Sequence, residues 1–250
     1  MESVSKMKIC DPYFRVEVLR RTPNPQQLCW LAMHQCYAEN AVVDDLRKTP
    51  NEQNAGWLIV KHLLLGNRGH YGILEHPQIS LNIIGYPHST MQQLRTHRVG
   101  VSFAVQSGRY TGQRILQVAE GEREPEEVFY LRPPGQYRDR QGKKYDYSPG
   151  QRLEDLAHCK AGAERYAQRL REGVSEEQAR GVIPFDVRQH FVLSCNARSL
   201  MHILDLRAKA DAQLEIQDLC QRAFDCFADW MPSLADWYEA NRWGKARLSP

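Results

Sequence analysis

Residues 79–98 read ISLNIIGYPHSTMQQLRTHR. Ile79, Leu81 and Ile83 alternate with Ser80 and Asn82, the period of two of a strand with one buried face. Ser89 is placed to cap a short helix over 91–98, and residues 102–110 return towards extended structure. Upstream, residues 15–19 fit a strand, and Asn24-Pro25 opens a long helix with proline where its missing N–H costs nothing. A second helix fits 52–65 and stops at Gly66. Downstream, helices fit 151–172, 197–208 and 212–230, Ser175 with Gln178 spells a capping box, and 189–195 alternates as a strand. Residues 132–149 mix prolines, glycines and charges without a period, which predicts a mobile loop of lid-like length. Helices flank two or three strands that no regular βαβ unit joins. The expected class is therefore α+β, a mixed or antiparallel sheet with helices around it, in one domain over 1–250.

With 42% apolar and 25% charged residues the composition is that of a globular enzyme, and a net charge of +3 argues against non-specific nucleic-acid binding as the main task. No apolar run approaches the roughly 18 residues that span a bilayer, and residues 1–11 hold no stretch long enough for a secretory signal. The seven cysteines include no CxxC pair and no histidine at zinc spacing, so they read as reduced, mostly buried thiols of a cytoplasmic protein without a metal site.

Between Glu75 and Glu120 there is no acid and no lysine, yet Arg95, Arg98, Arg109 and Arg114 occur with His76, His88 and His97. A solvated surface mixes signs and uses lysine freely. Arginine alone suits planar capture of phosphate or carboxylate. Gln93, Ser107, Gly108 and Tyr110 among the arginines favour an anion and heterocycle site; a subunit interface or a plain charge cluster is the competing reading. A second cluster is NARSLMHILDLR at 196–207. Arg198 and His202, four apart, share a helix face, whereas Arg207 projects off it towards a different ligand. Asn196 is either a ligand contact or an ordinary N-cap.

The run from Gln93 to Arg98, an eight-residue gap, then Ser107-Gly108-Arg109-Tyr110 resembles the signature of flavin-dependent thymidylate synthases: an Arg-His-Arg triplet, seven residues and a serine. Residues 196–217 resemble that family's second block, and Gly69-His70 with Leu74-Glu75-His76 its third. The chain departs from the pattern in several places. Thr96 stands where the triplet begins, with Arg95 one place earlier. The gap is one residue longer, Val105 replaces a frequent acid, His202 a frequent amide and Gly72 a frequent hydroxyl residue.

The resemblance implies a homotetramer that methylates dUMP to dTMP. NADPH reduces FAD, methylenetetrahydrofolate supplies the carbon, and no protein nucleophile attacks the ring. It implies flavin contacts from Gly72, Thr96, His97, Arg98, Val105, Asn196, Arg198 and His202. For dUMP it implies Gln93, Leu94, Arg95, Thr96, Val105, Gln106, Ser107, Gly108, Arg109, Arg180 and Arg207, the last favouring ionised uracil N3. No GxGxxG loop follows a strand, which agrees with a flavin held between subunits rather than on a Rossmann fold. No cysteine follows a proline, unlike the Pro-Cys-His context of the cysteine-dependent thymidylate synthases. The rival outside enzymes is a nucleic-acid-binding module built on the arginine window with Tyr110. The implied partners are small molecules and the chain itself, with no nucleic acid and no membrane.

Overall fold

The computed structural model describes residues 11–65, 69–139 and 141–245. Four strands form the main sheet in the order β1 (Arg15–Arg21), β2 (Gln78–Pro87), β6 (Arg188–Asn196), β3 (Val101–Val105). Every neighbouring pair is antiparallel. The alternation at 79–83 is borne out. Ile79, Leu81 and Ile83 are buried and pair in register with Cys195, Leu193 and Phe191, while Ser80 Oγ meets Ser194 Oγ on the other face at 2.8 Å.

Helices α1 (Pro25–Gln35), α2 (Glu52–Ile59), α8 (Ala197–Arg207), α9 (Leu214–Trp230) and α10 (Pro232–Asn241) join that inner face in the main apolar core. Within it Phe14 stacks on Tyr86 with ring centroids 4.1 Å apart, and the Tyr86 hydroxyl donates to Asp218 at 2.7 Å. A second, smaller core is built by α4 (Gln113–Ala119), α5 (Pro125–Val128), α6 (Pro149–Arg171) and α7 (Glu176–Ala179). Ile115, Val118, Phe129, Ala163 and Tyr166 pack together there.

Several expectations are corrected. The helix after β2, α3, spans His88–Leu94 and is capped at Pro87. Ser89 lies inside it, and the Ser89 N–H is taken by the Asp186 carboxylate at 3.1 Å, so a group from another element does the capping. The helix ends before Arg95, and residues 95–98 turn. β3 ends at Val105, and Ser107 to Tyr110 form a turn instead of extended chain. Residues 132–149 contain a hairpin, β4 (Gly135–Arg138) with β5 (Lys144–Tyr147), whose four-residue strands are too short to show a period. Asp139 Oδ1 accepts from the N–H groups of Gln141 and Lys143 at 2.9 Å, and Arg132 ties the hairpin base to buried Glu215 at 2.6 Å. Ser175 makes no side-chain cap to its short helix. The helix from Glu52 continues as a π turn over Val60–Leu64; Gly66 lies outside the described residues. No helix among the described residues is long and apolar enough to cross a membrane.

Candidate active site

A wide cleft of about 670 Å³ opens between the β3–β6 edge, α3 and the second core. Arg95, just past α3, lines it with Val105 and Gln106 at the end of β3, Ser107 and Gly108 from the following turn, and Arg180 from the turn after α7. Gly108 lets Arg180 lie close, since a Cβ there would sit 3.3 Å from Arg180 Cδ. The carboxylate in this lining, among the described residues, is Glu177, and Arg109 takes it in an ion pair. That hydrogen bond and charge hold the Glu177 carboxyl below its usual range. Arg109 is thus turned towards Glu177 along the rim. His88, edge-on to Phe185 at 5.2 Å, also faces the cleft, and burial, with Arg95 nearby, lowers its proton affinity although Asp186 opposes this. Among the lining residues not foreseen as ligand contacts, two carry buried polar atoms without a partner: Arg114 at Nε and Gln189 at Oε1.

A narrower cleft of about 320 Å³ lies where the 95–98 turn meets α8. Gly100 makes the join possible: its φ is +64°, and a Cβ there would fall 2.4 Å from Ser199 Oγ and 2.5 Å from Asn196 Nδ2. Asn196 is the N-cap of α8, its Oδ1 accepting from the Ser199 N–H at 2.8 Å. Arg207 Nε donates to His97 Nε2 at 3.0 Å, and its Nη2 donates to Thr96 Oγ1 at 2.9 Å and the Gln93 carbonyl at 3.2 Å. Because His97 Nε2 accepts, its ring proton resides on Nδ1. Burial, then Arg207 and His202, push His97 down to about 4, so it is neutral at neutral pH. His202 stands edge-on to His97 at 5.6 Å, with its Nδ1 buried and unpartnered.

The two clefts sort the expected residues. Thr96, His97, Arg98, His202 and Arg207 line the narrow one; Arg95, Val105, Gln106, Ser107, Gly108 and Arg180 line the wide one. Arg207 therefore does not leave the His202 side of its helix for another region, as five-residue spacing suggests, because the 95–98 turn reaches round to meet it. Arg95 and Arg98 do not share a helix face. Arg198 pairs with Glu75 at 2.6 Å and lines neither cleft. The Gln93 side chain bonds to Gln213, and Leu94 is fully buried in the main core. Gly72 is exposed, with no atom within 4 Å of where a Cβ would be.

The family model described as thymidylate synthase complementing protein (Thy1) matches residues 17–233. The chain belongs to this family. Two curated flavin-dependent thymidylate synthases are similar to it along nearly their whole length. That of Halobacterium salinarum is 33% identical over 94% of this chain and 100% of its own. That of Haloarcula marismortui is 33% identical over 94% and 99%. The UMP/dUMP methylase PolB of Streptomyces cacaoi, solved with 5-Br UMP, shares the fold at 22% identity and a TM-score of 0.67, covering 95% of this chain and 96% of that one. Thymidylate synthase X of Helicobacter pylori, solved with FAD and dUMP, does so at 22% and 0.64, covering 85% and 92%. In this Thy1-family chain the narrow cleft suits a flavin nucleotide. It offers the cation Arg98 for phosphate and, in His202 Nδ1, a buried polar atom still lacking a partner. Among the groups not foreseen, Arg114 carried a signal, lying in the acid-free window; Gln189 had none beyond its place in a strand.

Proposed function

We infer that this chain is a flavin-dependent thymidylate synthase, a methyltransferase that converts dUMP to dTMP with FAD as cofactor. The observation that carries the reading is the pairing of two clefts of different chemistry on either side of one turn, within a chain matched by the Thy1 model over most of its length. The nucleotide occupies the wide cleft, held by Arg95, Ser107, Gly108 and Arg180, with Gln93 and Arg109 added by family resemblance. The flavin is held by Thr96, His97, Arg98 and His202, with Asn196, Arg198 and Gly72 added by family resemblance alone.

Bound FAD, reduced by NADPH, supplies the hydride, and methylenetetrahydrofolate supplies the carbon. The protein's own task is electrostatic: to orient the pyrimidine and stabilise charge that develops on it. Arg207 does this from a preset position, since three hydrogen bonds to Gln93, Thr96 and His97 fix its guanidinium. Neutral His97 accepts from Arg207 without opposing its charge. No cysteine among the described residues lines either cleft. Burial pushes the thiols of Cys29 and Cys195 up to about 12 and that of Cys159 to about 11, which suits packing and not nucleophilic attack.

The active form is a homotetramer in which a partner chain covers the clefts. Exposed Val99, Tyr110 and Phe185 on and beside their rims support this, being apolar groups that gain by such cover. The free cysteines support a cytoplasmic setting. The test is dTMP formation from dUMP with methylenetetrahydrofolate, NADPH and FAD, each omitted in turn. Product that requires all four, from a protein with a flavin absorbance band, is expected. A colourless protein that cannot be reconstituted with FAD overturns the reading.

A further inference from the structure

Arg114, half-buried with its Nε fully enclosed, stands apart from the other buried and half-buried arginines. Arg188 meets Asp11 at 2.8 Å, Arg242 meets Asp205 at 2.5 Å and Arg132 meets Glu215 at 2.6 Å. Arg114 ion-pairs with no carboxylate among the described residues, its Nε is buried without an acceptor, and it lines the wide cleft. Burial, and then Arg123 nearby, weakens its hold on its proton, and Arg114 in turn adds to the burial that disfavours a charge on His190. Its place is set from behind, because Ile115 and Val118 of the same helix are buried in the second core. Nothing in that core requires a cation. A guanidinium held away from water without a counter-charge is costly, and the cost is recovered when a ligand brings the anion. The cleft lining supplies none, since Glu177 is already engaged by Arg109.

Gln189 gives a second, independent indication. The residue is only 7% exposed, it lines the same cleft, and its Oε1 accepts no hydrogen bond. An amide oxygen repels phosphate oxygens, so this acceptor marks the neutral end of the ligand and leaves the anionic end to the guanidiniums.

We propose that Arg114 is a phosphate anchor of the wide cleft, taking the nucleotide 5′-phosphate together with Arg95 and Arg180, while Gln189 Oε1 accepts from a neutral donor of the same nucleotide. The proposal rests on the assignment of the wide cleft to the nucleotide. Arg114 thereby joins the groups that distinguish a nucleotide from a nucleoside. A charged hydrogen bond removed from a bound phosphate lowers affinity roughly ten- to a hundredfold. The loss falls on binding, because the phosphate is remote from the reacting ring carbon.

The experiment titrates the FAD-loaded full chain with dUMP and, separately, with deoxyuridine, which lacks the phosphate. For Arg114→Gln, dUMP affinity falls roughly ten- to a hundredfold while deoxyuridine affinity stays within about twofold. KM for dUMP rises with kcat retained, and inorganic phosphate competes with dUMP less well than it does in the parent chain. Arg114→Lys keeps the charge without the planar fork and restores part of the dUMP affinity. Both variants unfold, without ligand, at a temperature no lower than the parent chain, since they remove or relax an uncompensated charge. Equal losses for dUMP and deoxyuridine, or none for either, overturn the proposal, as does a ligand-free Arg114→Lys chain that no longer folds. A parent chain that binds FAD but not dUMP overturns instead the assignment of the wide cleft.

Discussion

The wide and narrow clefts lie on either side of the 95–98 turn, and they differ in what their polar groups are already bound to. In the narrow cleft Arg207 is engaged three times over, by Gln93, Thr96 and His97. In the wide cleft Arg114 Nε and Gln189 Oε1 have no partner, and the carboxylate of Glu177 is spent on Arg109. A pre-bonded guanidinium suits a catalytic role, because its orientation costs nothing at the moment of reaction. An unspent donor and an unspent acceptor suit binding, because the ligand itself satisfies them. The narrow cleft thus joins a preset cation to one unspent atom, His202 Nδ1, whereas the wide cleft presents unspent groups on both Arg114 and Gln189.

The largest effect that this contrast leads us to expect is on turnover. Arg207→Ala lowers the rate at saturating dUMP on the order of 10²–10³-fold, the usual cost of one preorganised charge donor. Steady-state kinetics of the flavin-loaded variant check it, and a loss below tenfold would take Arg207 out of the chemistry.

Next in size is a binding effect on the opposite side of the turn. Arg95→Ala weakens dUMP roughly ten- to a hundredfold, because Arg95 faces the wide cleft with no ion-pair partner among the described residues. Thr96→Ala weakens dUMP far less, since Thr96 faces the narrow cleft and serves Arg207. Titration of both variants with dUMP decides the matter. Equal losses would mean that the two clefts are not separate in function.

A third expectation concerns pH. His97 is held at about 4 in the folded chain, below the unfolded value of 6.5. The unfolded chain therefore binds the proton more readily, and stability present above pH 6.5 is lost as pH falls towards 4, by on the order of 2–3 kcal/mol. A protonated His97 also cannot accept from Arg207. Thermal unfolding across this range should show a steeper loss for the parent chain than for His97→Gln, whose amide oxygen still accepts. Parallel curves would show that the narrow cleft does not depend on a neutral ring.

The smallest expected effect is none. Replacing each cysteine singly by Ala or Ser should leave methylation active in every variant that folds, because neither cleft is lined by a cysteine among the described residues. One folded, flavin-replete variant without product would refute this and place a thiol in the reaction.

The strand at 79–83 was legible because one face of β2 is buried and the other is not, so the apolar residues must alternate. The hairpin at 135–147 was not legible. It is held by Arg132 reaching Glu215, and no local pattern reports a contact 83 residues away. Leu94 was expected at the nucleotide, yet it is core, because the last turn of α3 aims it inwards. Thr96 and Arg95, adjacent in sequence, look alike as candidates for one phosphate. The end of the helix at Leu94 sends them to different clefts.

The sequence by itself determined the α+β class, the family and the two segments that carry the chemistry, since periodicity and motif spacing are local properties of the chain. Only the tertiary structure decided which residues share a cleft, which arginines arrive with partners and which without. Those facts depend on elements far apart in the chain, such as α3, α4, β6 and α8, being brought to one edge of one sheet. A guanidinium's burial and its missing carboxylate exist only once that packing is made.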